Sequence, residues 1–153
     1  RTRPHTTGQD GGGRTIRLTP HFDTEEFRCR KEGSPCPHCK GALPDLARLQ
    51  RMADKLEVLR LLIGGKPIKI NSAYRCKERN AELADAAPTS QHLSGNAVDI
   101  AIDGGREGVI TAAVQAARAG FAGIGIDIRN YRYIHVDLRD KRAYEPASIW
   151  FYK

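Results

Sequence analysis

Two short stretches of this chain constrain its fold more than any other feature. The first covers residues 90–100, SQHLSGNAVDI, and the second covers residues 134–138, IHVDL. Both contain histidine and aspartate within an apolar pattern that is typical of strands. Gly95 lies between His92 and Asp99, where it lets the backbone turn sharply before the strand begins. A fold that uses these side chains together must bring the two stretches into contact.

The side chains in these stretches are ones that zinc binds. His92, Asp99 and His135 offer two imidazoles and one carboxylate. Three protein ligands leave a fourth position for water, as in a catalytic rather than a structural zinc site. Alone, each residue is more often a satisfied core histidine or a capping aspartate. The combination therefore predicts the metal site.

Three ordered motifs resemble those of a known enzyme family. The pattern Ser-x-His-x-x-Gly-x-Ala-x-Asp is matched from Ser90 to Asp99, and Asn71–Cys76 looks like the family's Ser-x-Tyr-Arg segment. Residues 123–126, followed by Ile134–Asp137, look like its closing hairpin. The chain thereby resembles, over about residues 20–140, the zinc D-Ala-D-Ala carboxypeptidases and murein endopeptidases. The closest branch includes wall carboxypeptidases, periplasmic endopeptidases and phage proteins.

The resemblance implies roles for several residues. It makes His92, Asp99 and His135 the ligands of Zn²⁺. Arg75 is the natural partner of an oxyanion or a substrate carboxylate, because its planar fork of N–H donors matches a carboxylate. Ser90 and Gln91 are expected to contact substrate, unless they only shape the loop around the metal.

One position departs from the family pattern. Many members carry Asp or Glu three residues before the last zinc histidine, where this chain has Arg132. The general base must then be another carboxylate. Asp137 shares a strand face with His135 and is the first choice, because side chains on a strand repeat their direction every two residues. Asp127 is the alternative.

The order of elements predicts an α+β domain. We expect a mostly antiparallel sheet with helices packed on it and the zinc site on the sheet, as in the D-Ala-D-Ala carboxypeptidase and hedgehog-like fold that the resemblance implies. The predicted elements are a helix from Pro44–Asp45 to Gly64–Gly65, a strand at 67–71, a helix at 77–84, a strand at 96–102, a helix ending at Gly120 and a hairpin of 122–128 and 131–138.

The chain of 153 residues has the length of one domain. Residues 1–18 are rich in Arg, Thr and Gly and predict a flexible basic arm. Residues 19–153 then form the zinc peptidase domain. The aromatic tail, Trp150–Tyr152, is interpreted as a cover for the core.

Four cysteines form a second possible metal site. Cys36 and Cys39 form a C-x-x-C pair, which with Cys29 and Cys76 offers four thiolates for a structural zinc. Two disulfides are the alternative if the protein works outside the cytosol. The sequence leaves both open, and in either case the cysteines tie the N-terminal loop to the segment that carries Arg75.

A net charge of +7 favours an anionic partner. The basic residues are interleaved with acids and no nucleic-acid motif is present, so an anionic bacterial wall is a better match than nucleic acid. Alternatively, the positive charge only keeps the protein soluble. No apolar stretch is long enough to span a membrane.

The predicted function is hydrolysis of amide bonds in peptidoglycan stem peptides by metal-activated water. The cell envelope or periplasm, or a phage lysis protein or virion, is the expected place of action, with a larger phage or envelope assembly as a possible partner. The first alternative is a weakly active or inactive zinc-bearing wall-binding module, such as part of a phage tail. A non-haem iron oxygenase, which also uses two histidines and a carboxylate, is the second. The sequence leaves open which murein bond is cut.

Overall fold

The computed structural model describes residues 13–84 and 86–153. Most of the predicted arm, residues 1–12, lies outside the described residues. The first strand, β1, covers Arg17–Thr19 and pairs antiparallel with β2, Phe22–Asp23. The last two residues of the predicted arm therefore belong to a strand.

The remaining elements are β3 (Arg30–Lys31), β4 (Ser34–Pro35), α1 (Leu46–Leu62), β5 (Lys69–Ser72), α2 (Lys77–Ala81), β6 (Ala97–Ala101), α3 (Gly105–Ala119), β7 (Gly123–Asp127), β8 (Ile134–Asp137) and β9 (Ser148–Tyr152), with short 3₁₀ helices at Thr24–Phe27 and Gln91–Ser94. The predicted helices and strands occur in the predicted order, and three strands that were not predicted, β3, β4 and β9, are added to them. In the described part of the chain, no helix is long and apolar enough to cross a membrane.

Five strands form the main sheet, in the order β5-β6-β8-β7-β9. All neighbours are antiparallel except β7 and β9, which are parallel. The predicted mostly antiparallel sheet with packed helices is thus confirmed. The difference lies at the edge, where the aromatic tail forms a fifth strand.

The longest helix has the ends that its sequence predicts. Asp45 caps α1 by accepting a hydrogen bond from the backbone N–H of Arg48 at 3.0 Å. After Ile63, Gly64 and Gly65 both have positive φ, a conformation that glycine adopts readily. The predicted boundaries of α1 therefore hold because capping and glycine chemistry are local.

The core lies between one face of the sheet and helices α1 and α3. Side chains at alternate positions of β6, β7 and β8 join the buried faces of both helices. On β8 these are Ile134 and Val136, so His135 and Asp137 project from the opposite face. We call this opposite face of the sheet the site face.

Candidate metal centre

Two strands and one turn place the predicted ligands together. Asp99 on β6 lies directly opposite His135 on β8 in the strand register. His92 reaches them from the 3₁₀ helix Gln91–Ser94, which Gly95 ends with a φ of +76°. A Cβ atom at Gly95 would lie only 2.5 Å from the side chain of Pro44, so this turn requires glycine for both conformation and space.

Three side-chain atoms form a compact triangle on the site face. His92 Nε2 and His135 Nδ1 are 3.2 Å apart. The Oδ1 atom of Asp99 is 3.3 Å from the former and 3.1 Å from the latter. We call these three atoms the ligand triangle. His92 is 2% and His135 6% exposed.

In each imidazole, the nitrogen that points away from the triangle donates a hydrogen bond. The nitrogen in the triangle therefore carries the lone pair. His92 Nδ1–H donates to the backbone carbonyl of Ala73 at 2.6 Å. His135 Nε2–H donates to the carboxylate of Asp137 at 2.8 Å. In the neutral histidines, both inner nitrogens are then acceptors that face the acceptor oxygen of Asp99. Three converging acceptors need a cation between them.

The ligand triangle has the size that zinc requires. Zinc bonds of about 2.0–2.2 Å in a tetrahedral arrangement separate the ligand atoms by roughly 3.3–3.5 Å. The observed edges of 3.1–3.3 Å are close to that range. Two nitrogens and one carboxylate oxygen are also a donor set that zinc accepts. The residues therefore fit a zinc ion with an open fourth position.

The pKa shifts of Asp99 and His135 also indicate a site that attracts a cation. Burial disfavours the ionised form of Asp99, but His135 and His92 outweigh it and hold the pKa of Asp99 well below its usual range. Burial likewise lowers the pKa of His135, yet contacts with Asp137 and Asp99 outweigh it and raise that pKa. Each shift reflects a carboxylate that stays charged and attracts a cation.

Arg75 lies beside the triangle. Its Nη2 is 3.5 Å from Asp99 Oδ2, Nε donates to Ser72 Oγ at 3.3 Å and Nη1 donates to Asn80 Oδ1 at 3.2 Å. Burial lowers the pKa of Arg75, although Asp99 opposes that shift. The guanidinium has five N–H groups, so these contacts fix its plane and leave donors for a ligand.

The structure does not support Asp137 as the general base. Its carboxylate lies on the Nε2 side of His135, away from the ligand triangle, and is 0% exposed. Arg139 also donates to it from Nε at 2.8 Å and from Nη2 at 2.6 Å. The two-residue period correctly places Asp137 on the site face, but the imidazole of His135 separates it from the triangle. Asp137 orients that ring instead.

Asp127 is likewise enclosed by its hydrogen-bond partners. It is 2% exposed and accepts hydrogen bonds from the backbone and Nε of Arg129 and from the backbone of Arg132. Its carboxylate thus closes the turn between β7 and β8. The side chain of Arg132 is exposed, and Arg132 is not among the described residues that line the cavity.

A cavity of about 830 Å³ opens over the ligand triangle. Ser90 and Gln91 both line it. Ser90 Oγ also accepts a hydrogen bond from the His92 backbone at 3.3 Å, so it supports the turn as well. Other lining residues are Arg75, Leu83, Ala84, Ala86, Ala87, Thr89, Arg129, Tyr133, Arg139, Trp150, Phe151, Tyr152 and Lys153.

The aromatic tail forms one wall of this cavity. Trp150 lies 5.2 Å from the His135 ring, and Tyr152 lies 5.7 Å from the Tyr133 ring, measured between centroids. The sequence interpretation of the tail as a core cover missed this wall. The available signal was the two-residue spacing of Trp150 and Tyr152, which places both on one face of a strand.

The cavity wall is rich in cationic side chains. Arg75, Arg129, Arg139 and Lys153 line it, whereas Asp99 is the sole carboxylate among its described lining residues. Asp127 and Asp137, which do not line the cavity, pair with Arg129 and Arg139, whereas Arg75 pairs with Asp99 of the ligand triangle. A metal ion in the triangle would make the surroundings still more positive. The cavity is therefore suited to an anionic ligand.

Comparison with known proteins agrees with the motifs. A family model described as peptidase M15 matches residues 20–137, which include Arg75 and the ligand triangle. Among solved structures, the chain is similar to the crystal structure of Serratia marcescens L-Ala D-Glu endopeptidase ChiX. That similarity has 20% identity and a TM-score of 0.36, over 57% of this chain and 87% of the other. No curated protein matches the chain.

Proposed function

Because the chain belongs to the peptidase M15 family, we propose that it is a zinc peptidase that hydrolyses amide bonds in peptidoglycan stem peptides. The observation that carries the proposal is the ligand triangle, in which three acceptor atoms converge at 3.1–3.3 Å. The family favours this chemistry over the iron oxygenase considered from the sequence.

The chain's own residues would divide the work around the metal. Zinc in such a site lowers the pKa of a coordinated water and polarises a carbonyl group. His92, Asp99 and His135 would hold the ion. Arg75 is fixed by Ser72, Asn80 and Asp99, and its remaining N–H groups would donate to the oxygen on which negative charge develops.

The cavity wall supports a peptide with free carboxylates as the substrate. Stem peptides carry such groups, and Arg129, Arg139 and Lys153 would bind them as cations. Ser90 and Gln91 would contact the polar peptide backbone. Such a substrate implies action in the cell envelope or periplasm, or from a phage particle at the wall.

Whether the cavity contains a proton acceptor distinguishes a peptidase from a second candidate, a module that binds the wall without cleaving it. Of the described lining residues only Asp99 is a carboxylate, and it belongs to the ligand triangle. Burial raises the pKa of Tyr152 to about 12, so that phenol is a poor base at neutral pH. This observation favours the alternative of a weakly active or inactive zinc-bearing module that binds the wall.

Digestion of purified muropeptides, with products identified by mass spectrometry, tests the proposal. We expect zinc-loaded protein to cleave one amide bond, and chelation to stop the reaction until zinc is restored. The mass of the products identifies the bond as D-Ala-D-Ala, a cross-link or L-Ala-D-Glu. His135→Ala should be inactive, whereas His21→Ala, which removes an exposed imidazole paired with Glu57, should behave like wild type.

Failure of cleavage separates the two candidates. Zinc-loaded wild type that leaves every muropeptide intact but sediments with purified wall would support the binding module.

A further inference from the structure

The four cysteines converge at a second place in the fold. Their Sγ atoms all lie within 4.8 Å of one another, and we call this group the cysteine cluster: Cys29, Cys36, Cys39 and Cys76. Three of the side chains are buried and that of Cys39 is half-buried. All four are free thiols in the structure. The cluster shares no residue with the ligand triangle.

The spacing of the sulfur atoms fits a metal better than disulfides. Cys36 Sγ and Cys76 Sγ are 3.8 Å apart. A disulfide would need about 2.0 Å. Tetrahedral zinc, with Zn–S bonds of about 2.3 Å, separates its sulfur ligands by roughly 3.8 Å.

Backbone N–H groups point at the sulfur atoms. The N–H of Cys76 donates to Cys29 Sγ at 3.3 Å, and the N–H of Arg79 donates to Cys76 Sγ at 3.4 Å. A neutral thiol is a weak acceptor, whereas a thiolate accepts charge-assisted hydrogen bonds. The backbone is thus arranged to stabilise negative sulfur.

We propose that the cysteine cluster binds a second zinc ion as a tetrathiolate site. Four protein ligands leave no open position, so this ion is structural and takes no part in hydrolysis. Binding would release the thiol protons and connect the loop that carries Cys29, Cys36 and Cys39 to the start of α2. The inference does not depend on the peptidase function, since neither ligand set needs the other.

The second zinc would also position Arg75. Cys76 follows it directly in the chain, and the Arg75 backbone N–H donates to the His92 carbonyl at 3.1 Å. The N–H of Tyr74 donates to the Phe27 carbonyl at 3.3 Å, next to the loop that carries Cys29. A metal on Cys76 would therefore anchor the segment that presents the guanidinium to the cavity.

Metal content and the spectrum of the cobalt-substituted protein test the proposal. We expect two zinc ions per wild-type chain, one in the pair variant Cys36→Ser/Cys39→Ser and one in His92→Ala. Cobalt-loaded wild type should show a thiolate-to-cobalt charge-transfer band, which the two nitrogens and one carboxylate of the ligand triangle cannot produce. His92→Ala should keep that band.

His38→Ala is the matched control, because it lies inside the C-x-x-C pair but its ring contacts Glu82 rather than the cluster. It should keep two zinc ions and the band. One zinc in wild type that survives the cysteine substitutions would overturn the proposal, as would a cobalt spectrum without the band. Alkylation of the unfolded, unreduced protein that finds no free thiols would show disulfides instead. The wild-type spectrum decides even if the cysteine variant fails to fold.

Discussion

At the scale of single residues, the two ring nitrogens of His135 have different partners. His135 directs Nδ1 to the ligand triangle and Nε2 to Asp137. Arg139 holds the carboxylate of Asp137 from the other side. The chain thus provides a partner that fixes both the tautomer and the angle of the ring, a support that metal-binding histidines commonly have.

Asp137→Asn should weaken zinc binding by about 10- to 100-fold, because the amide accepts less strongly from the ring N–H. At saturating zinc, turnover should recover most of its wild-type value. Metal affinity and kcat measured over a zinc titration check this, with the exposed residue Asp140→Asn as control. A loss of about 100-fold or more at saturating zinc would instead restore Asp137 as the general base.

Arg75→Ala should keep zinc yet lower kcat by about 100- to 1,000-fold, since it removes a donor to developing negative charge. Arg75→Lys should recover only part of the rate, because an ammonium cannot reproduce the planar fork. Arg79→Ala is the control, as that side chain contacts Arg30 and Glu82 rather than lining the cavity. Equal turnover in Arg75→Ala and wild type would remove Arg75 from the mechanism.

At the scale of elements, β7 has a glycine next to the site residues of its two neighbouring strands. Gly125 lies between His135 on β8 and Trp150 on β9 in the strand register. A Cβ atom there would lie 2.7 Å from both Trp150 Nε1 and Tyr152 Cε2. The bare backbone of β7 therefore gives the aromatic wall room to approach the metal site.

Gly125→Ala should destabilise the fold by about 1–3 kcal/mol, because the added methyl must displace the aromatic wall. Denaturant unfolding measures this change. Trp150, the single tryptophan of the chain, reports the displacement by fluorescence. Combining Gly125→Ala with Trp150→Ala should recover part of the lost free energy, and strictly additive costs would contradict the proposed collision.

The turn between β7 and β8 depends on one buried carboxylate. Asp127→Ala should cost about 1–3 kcal/mol at neutral pH, since it leaves the donors of Arg129 and Arg132 without their partner. Burial opposes ionisation of Asp127, but Arg129 and the backbone outweigh it and lower its folded-state pKa. The stabilisation is therefore complete above the unfolded pKa of about 3.9 and is lost as pH falls through the folded pKa.

Unfolding of wild type and Asp127→Ala across acidic and neutral pH checks the sign. The difference in unfolding free energy should be constant above about pH 5 and shrink below about pH 4. Asp127→Asn, which keeps one acceptor oxygen, should lose less at neutral pH. A difference that grows on acidification would contradict the assigned role.

These elements also separate what the sequence predicts from what it does not. Helix α1 and the alternation of β6 and β8 follow from local patterns, and the structure brings His92, Asp99 and His135 together as their motifs imply. The two-residue period predicts the face of the sheet from which Asp137 projects. It does not predict on which side of the His135 imidazole the carboxylate lies. The pairing of β9 with β7 depends on long-range contacts that no local pattern in the tail encodes.

At the scale of the whole molecule, two metal sites would stabilise different parts of one fold. A ligand that binds only the folded state adds about 2.7 kcal/mol when present at 100 times its dissociation constant. Metal-free protein should therefore gain thermal stability as zinc is added. In His92→Ala the gain should be smaller but still present, because the cysteine cluster is intact. If added zinc leaves the melting temperature of that variant unchanged, zinc does not bind the cysteine cluster.

The alternation along β8 carries a consequence for strand pairing. A slip of one residue between β8 and β6 would turn His135 and Asp137 into the apolar core and expose Ile134 and Val136 to the cavity. Unpaired charges in such a core are far more costly than a single lost contact. Misregistered pairings would thus lose both the apolar core and the ligand triangle, so zinc binding would also favour the native register of the sheet.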